Sequence, residues 1–167
     1  RDNKTLELGL EFAYKLTSPS AIRYPRGAFK ELEFTSSKFD LGKAELLKMG
    51  ASNKLFIGYG AGVNRAIDTE ALHDEEIAIL DLRFVKPIDK DCLIELSNKY
   101  NDWYIFSDSQ KQGGVSSAIL EVLNEIDIQN IKITSFEYED FFIDHGDTKQ
   151  VEQSLGLLAE QLVLRIK

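Results

Sequence analysis

Two arginines stand close together in Ser20-Ala21-Ile22-Arg23-Tyr24-Pro25-Arg26-Gly27. Each guanidinium is a planar fork of donors that fits phosphate or carboxylate in bidentate fashion. The residues from Ala21 to Tyr24 predict a short strand, Pro25 stops it, and Gly27 lets the chain turn away. A strand that ends on such a group delivers it to the carboxyl edge of a sheet, where α/β proteins bind ligands. Side chains alternate along a strand, so the two arginines cannot face one ligand without a bend. Arg26, just past the strand, is the candidate phosphate contact. Arg23, within it, is the candidate for a buried pair or a cofactor-side contact. On spacing alone, two surface arginines in a loop are the stronger alternative.

A second group lies in Phe141-Phe142-Ile143-Asp144-His145-Gly146. An imidazole titrates near neutral pH and suits acid–base work. Nothing nearby in the sequence offers a nucleophile or a metal partner. His145 is therefore a candidate for the edge of an active site, with packing at a domain seam ahead of it. Gly58-x-Gly60-x-Gly62 lacks the glycine spacing of a dinucleotide fingerprint and reads as a tight strand-to-helix turn needing positive φ. Gln110-Lys111-Gln112-Gly113-Gly114-Val115-Ser116-Ser117 joins a strand to a helix whose first amides could hold an anion. A helix start packed under an interface is the plainer expectation there. In Leu82-Arg83-Phe84-Val85-Lys86-Pro87-Ile88-Asp89 the roles are structural: Pro87 restricts Lys86, Asp89 caps a helix, and Arg83 can reach a carboxylate.

These groups need elements to hold them. The chain has 167 residues, enough for one domain and a piece of another. Its 43% hydrophobic content suits a globular core, and its net charge of −8 argues against nucleic acid or an anionic membrane as partner. No apolar run is long enough to cross a bilayer. Cys92 is the single cysteine, which excludes an internal disulfide and a cysteine metal site and makes a cytoplasmic location the default. His73 and His145 lie too far apart for a ligand pair. The chain does not begin with Met and lacks a signal-peptide pattern, as expected of an excised or proteolysed segment.

Residues 3–16 predict a helix capped by Asp2 or Asn3, with Leu6, Leu10, Ala13 and Leu16 at helical spacing. Residues 28–42 carry no period and read as a linker, with Phe29, Phe34 and Phe39 as anchors. Strands are expected at Ala44–Met49 (at a sheet edge), Lys54–Ile57, Ile77–Leu82, Trp103–Phe106 and Ile131–Ser135. Helices are expected at Val63–Leu72, after Asp89, after Gly113-Gly114, after Asp147 (with Gln150 completing a capping box), and finally along Leu158, Leu162 and Ile166. Alternating strands and helices imply βαβ units and a largely parallel sheet.

Ala21-Ile22-Arg23-Tyr24-Pro25-Arg26-Gly27, Leu82 to Asp89, and Asp140 to Gly146 occur in this order. Together they resemble the C-terminal part of the 1-deoxy-D-xylulose-5-phosphate synthase family, among the transketolase-like, thiamine-diphosphate-dependent enzymes. The resemblance covers nearly the whole of this chain. It implies an α/β fold like the transketolase C-terminal domain: a mostly parallel sheet of about five strands with helices on both faces. It also implies a division into 1–27 (tail of a pyrimidine-binding domain), 28–41 (interdomain linker) and 42–167 (C-terminal domain). The implied reaction condenses pyruvate with glyceraldehyde 3-phosphate and releases carbon dioxide, feeding non-mevalonate isoprenoid synthesis and the routes to thiamine and pyridoxal. The implied cofactors are thiamine diphosphate and Mg2+, and the implied assembly is a homodimer. The transketolase pattern aligns its substrate-phosphate arginine with Arg26. No Gly-Asp-Gly magnesium motif is present, the nearest string being Gly146-Asp147-Thr148. The catalytic and metal-binding residues are thus expected outside this chain, which alone should be inactive and bind no cofactor. Ser107-Asp108-Ser109 stands where the family usually has paired acids. The alternatives are another transketolase-like enzyme, against which Arg-Tyr-Pro-Arg-Gly argues in the case of transketolase itself, and a noncatalytic α/β assembly module.

Overall fold

The computed structural model of the protein describes residues 1–22, 24, 32, 34 and 38–167. Among these residues, five strands form one sheet: β1 (Glu45–Lys48), β2 (Lys54–Gly58), β3 (Ala78–Asp81), β4 (Asp102–Gln110) and β5 (Lys132–Tyr138). Their spatial order is β1-β3-β2-β4-β5. β3, β2, β4 and β5 run parallel, while β1 lies antiparallel on the edge beside β3, with a bulge between Leu46 and Lys48. The helices are α1 (Asn3–Tyr14), α2 (Gly62–Glu70), α3 (Lys90–Ser97), α4 (Val115–Glu125), α5 (Thr148–Ser154) and α6 (Ala159–Leu162), the last running into a 3-10 turn at Val163–Arg165.

The central strands are apolar runs because both faces of the sheet are covered. Their alternation divides successive residues between two cores. Leu55, Ile57, Leu80 and Ile105 meet Leu93 of α3 and Ile119 of α4 on one face. Phe56, Ile79 and Phe106 meet Ala66 of α2 and Leu162 of α6 on the other. Each fully buried side chain of this size stabilises the fold by about 1.5–3 kcal/mol. A mostly parallel five-stranded sheet with helices on both faces is therefore present, as expected.

The ends differ more from expectation. Asp2 does cap α1, accepting from the Thr5 amide at 2.7 Å, but no residue of that helix is buried. Phe12 of α1 packs against Phe39 and Phe84, with ring centroids 6.3 and 6.0 Å away, so Phe39 serves as an anchor. Phe29 lies outside the described residues. The strand expected over Ala21–Tyr24 is not formed at its described residues Ala21, Ile22 and Tyr24. A strand's amides and carbonyls need a neighbouring ladder, and the five-stranded sheet does not extend to them. The final amphipathic helix is shorter than expected. Gly156 adopts φ +70° and breaks the run, Leu158 becomes the cap of α6, and Ile166 lies beyond the 3-10 turn. Asp147 caps α5 by accepting from the amides of Lys149 and Gln150. Gln150 takes part through its backbone, and the reciprocal side-chain bond occurs instead at Gln161, whose Oε1 accepts from Leu158 N.

Candidate functional site

Because β3, β2, β4 and β5 are parallel, their carboxyl ends share one edge of the sheet, where an open α/β sheet has its crevice. At β2 the turn uses its glycines in two ways. Gly60 takes φ +58°, which satisfies the expected left-handed turn. Gly62 is needed for closeness: a Cβ there would lie 2.0 Å from the Phe106 carbonyl oxygen. That approach lets α2 start directly over β4, where the Tyr59 amide donates to the same carbonyl at 2.9 Å.

Arg65, one turn into α2, is buried and reaches three groups. Its Nη2 donates to the Ser107 carbonyl at 2.8 Å and to Asp108 Oδ1 at 2.6 Å, and its Nη1 donates to Glu152 Oε1 at 2.8 Å. Burial disfavours its charged form, but Asp108 and Glu152 outweigh that and hold the guanidinium above its usual pKa. One residue of α2 thereby ties the end of β4 to α5. Tyr138, at the end of β5, has its hydroxyl pKa raised by burial and by Asp108.

The start of α4 carries an anion, and that anion belongs to the protein. Glu137 of β5 is 5% exposed. Its carboxylate accepts from the hydroxyls of Ser107, Ser109 and Ser135 at 2.6–2.7 Å. It also accepts from the amides of Val115 and Ser116, at 3.0 and 3.3 Å, which are the first free donors of α4. Burial would raise its pKa, yet the serine hydroxyls prevail and hold it below the usual glutamate value. The amides that could have taken an external anion are thus engaged by a residue of the neighbouring strand. Ser107-Asp108-Ser109 thus supplies donors to Glu137 and a partner to Arg65.

At the end of β3, Arg83 reaches Glu45 Oε2 at 2.5 Å, the carboxylate contact expected of it, and its amide donates to Asp81 Oδ1 at 3.1 Å. Arg1 joins the same group through Asp81 Oδ2 at 3.2 Å and Glu45 Oε2 at 3.0 Å. Asp81 is nearly fully buried, which raises its pKa against the pull of Arg1 and Arg83. Asn64 of α2 donates to the Arg1 carbonyl at 2.9 Å. The segment that carries α1 is therefore fastened to the carboxyl edge of the sheet at Arg1.

The loop after β5 holds His145. Residues 139–147 are exposed, Phe142 completely so. A cleft of about 300 Å³ separates the loop from α5 and is lined by Phe141, Ile143, His145, Val151 and Leu155. A second, of similar volume, lies between His145, Tyr138 and Glu152. His145 thus lines two shallow recesses at the carboxyl edge of the sheet. Arg23 and Arg26 lie outside the described residues.

Arg1, Arg65 and Glu137 escaped the sequence reading. Arg65 and Arg1 gave no local signal, since their partners are far away in the chain. Glu137 did leave one. Period-2 alternation puts Ile133, Ser135 and Glu137 on one face of β5, and an acid at an inward position needs donors.

The family described as transketolase, C-terminal domain matches residues 42–162. The chain is 73% identical over its whole length to 1-deoxy-D-xylulose-5-phosphate synthase of Aliarcobacter butzleri, of which it covers 28%. It is 50% identical to the enzyme of that name from Sulfurimonas denitrificans, also over the whole chain and 28% of that protein. For the enzyme of that name from a Nitratiruptor species the identity is 52%, over the whole chain and 27% of the protein. The chain thus spans little more than a quarter of the curated relatives it matches. A solved structure, described as a split gene transketolase in an inactive beta4 tetramer, superposes with a TM-score of 0.85 at 23% identity. The match covers 98% of this chain and 54% of that one, and it establishes the fold.

Proposed function

We infer function from one premise: the chain belongs to the transketolase C-terminal domain family. The proposal is that it forms the C-terminal part of a 1-deoxy-D-xylulose-5-phosphate synthase, with 1–27 as the tail of the pyrimidine-binding domain, 28–41 as linker and 42–167 as the C-terminal domain. The observation that carries it is the 73% identity over all 167 residues to a relative of that name. The whole enzyme then condenses pyruvate with glyceraldehyde 3-phosphate and releases carbon dioxide. It acts as a cytoplasmic homodimer, in isoprenoid and thiamine synthesis.

Thiamine diphosphate and Mg2+ belong to this proposal, held by parts of the enzyme outside this chain. One feature supports that placement. The α4 amides, the natural seat for a diphosphate on this edge, are already bonded to Glu137. Within this chain, Arg26 would bind the phosphate of glyceraldehyde 3-phosphate, Arg23 would make a buried or cofactor-side contact, and His145 would stand at the rim of the active site. The test is release of carbon dioxide from carboxyl-labelled pyruvate by the full-length protein supplied with thiamine diphosphate and Mg2+. Release that depends on glyceraldehyde 3-phosphate is expected. Its absence in folded protein would favour the noncatalytic module.

A further inference from the structure

Phe141, Phe142 and Ile143 are 51%, 104% and 38% exposed, three consecutive large apolar side chains turned to solvent. Patches of this kind mark interaction sites. The loop is held at both ends. Lys111 N donates to the Tyr138 carbonyl at 2.9 Å, Lys111 Nζ pairs with Glu139 at 3.2 Å, and Asp147 caps α5. Behind the loop, the cleft of about 300 Å³ against α5 offers Val151 and Leu155 to an incoming side chain.

We propose that loop 141–146 and α5 form a docking face for a basic, apolar segment of the same polypeptide lying upstream of Arg1. This rests on the chain being the C-terminal part of a longer synthase. Three features select the occupant. The curated relatives are more than three times as long as this chain, which covers 27–28% of them. Arg1 is pinned to Asp81 at the carboxyl end of β3, so an upstream segment leaves from the edge that bears the loop. Three strand spacings separate the ends of β3 and β5, about 14 Å, a short reach for a folded domain. Finally, the rim carries acid: Glu139 is paired with Lys111 and Asp147 caps α5, while Asp140 and Asp144 are exposed to solvent. A two-fold contact of the loop with its own copy would set these carboxylates against one another, whereas a basic segment neutralises them.

The test uses the full-length protein carrying Phe142→benzoylphenylalanine. It is irradiated, and the cross-linked peptides are mapped by mass spectrometry. A link to a peptide upstream of Arg1 is expected. A link to any peptide within residues 1–167, or no link at all, overturns the proposal. As a second measurement, Phe142→Asp in the full-length protein should raise the rate of proteolysis upstream of Arg1 at least tenfold while the far-ultraviolet circular dichroism is kept. An unchanged rate also counts against docking. The carbon dioxide assay on the unmodified protein separates the two ideas. Synthase activity without an upstream link ends the docking proposal alone, and an upstream link without activity ends the synthase assignment alone.

Discussion

Ser107 Oγ donates to Glu137 Oε1 across 2.7 Å and so joins the carboxyl ends of two adjacent parallel strands beneath the first turn of α4. Ser107 has a second partner in the Ser109 hydroxyl, 2.6 Å away, whereas Glu137 depends on the whole set. Ser107 is fully buried, and Glu137 would be a buried charge without its ring of donors.

Glu137→Gln should destabilise the protein by about 1–3 kcal/mol, because it leaves buried donors poorly matched. The effect has a pH signature. The folded pKa lies below the usual glutamate value of 4.5, so between the two the unfolded chain binds more protons. The stabilisation is therefore full above about pH 4.5 and is lost as pH falls through the lowered folded value. Urea denaturation at pH 7 and pH 4 checks this: the gap between wild type and Glu137→Gln should shrink at the lower pH.

Removing Arg65 leaves the half-buried Asp108 and Glu152 without their guanidinium, so Arg65→Ala should cost about 1–3 kcal/mol. The same variant should speed amide exchange in α5, which Arg65 holds through Glu152. A double-mutant cycle with Glu152→Gln measures the tether, and zero coupling would show that α5 is held by other contacts.

The two glycines that follow β2 should respond differently to alanine. Gly62→Ala forces a Cβ into the Phe106 carbonyl and should destabilise by more than about 2 kcal/mol. Gly60→Ala meets open space and carries only the left-handed backbone cost, about 1–2 kcal/mol. Thermal unfolding of both variants gives the order directly.

Burial pushes the Cys92 thiol up to about 11 from 9.0, with help from Asp89 and Glu95. At pH 8 its thiolate fraction, and hence its alkylation by iodoacetamide, should be about a hundredfold below that of an unfolded control. Equal rates in native and denatured protein would contradict this.

On the synthase assignment proposed above, Arg26→Ala in the full-length protein should raise KM for glyceraldehyde 3-phosphate by roughly ten- to hundredfold, the value of a charge-assisted contact of about 1.5–3 kcal/mol. KM for pyruvate, which has no phosphate, should change far less. A rise with Arg23→Ala and none with Arg26→Ala would exchange their roles.

The sheet was legible because its strands announce themselves: Leu55-Phe56-Ile57 and Ala78-Ile79-Leu80 have no polar face to confuse their assignment. Caps were legible where one short side chain acts on its own turn, as Asp2, Asp89 and Asp147 do. What stayed hidden depends on distant pairing. Arg65 meets Glu152 across 87 residues, and Arg1 meets Asp81 across 80. Ala21–Tyr24 misled for the opposite reason, since a local apolar run makes a strand only where a ladder awaits it. The candidate site was half legible: the motif of His145 named the loop, but its place on the sheet edge needed the parallel order of β4 and β5.

The two rims of the sheet are unequal. β1 offers four residues, runs against its neighbours and is kinked by its bulge, a poor template for another strand. β5 offers seven residues on the opposite rim, parallel to β4 and with its one irregularity of pairing after Phe106. Among the described residues, strand addition, whether by a specific peptide or by the stacking of partly unfolded chains, is therefore favoured at β5 over β1. Efforts to keep the protein soluble at high concentration belong on Lys132–Tyr138, where Phe136 and Tyr138 are committed to the core, Lys132 already places one charge, and half-buried Thr134 is the position for a second.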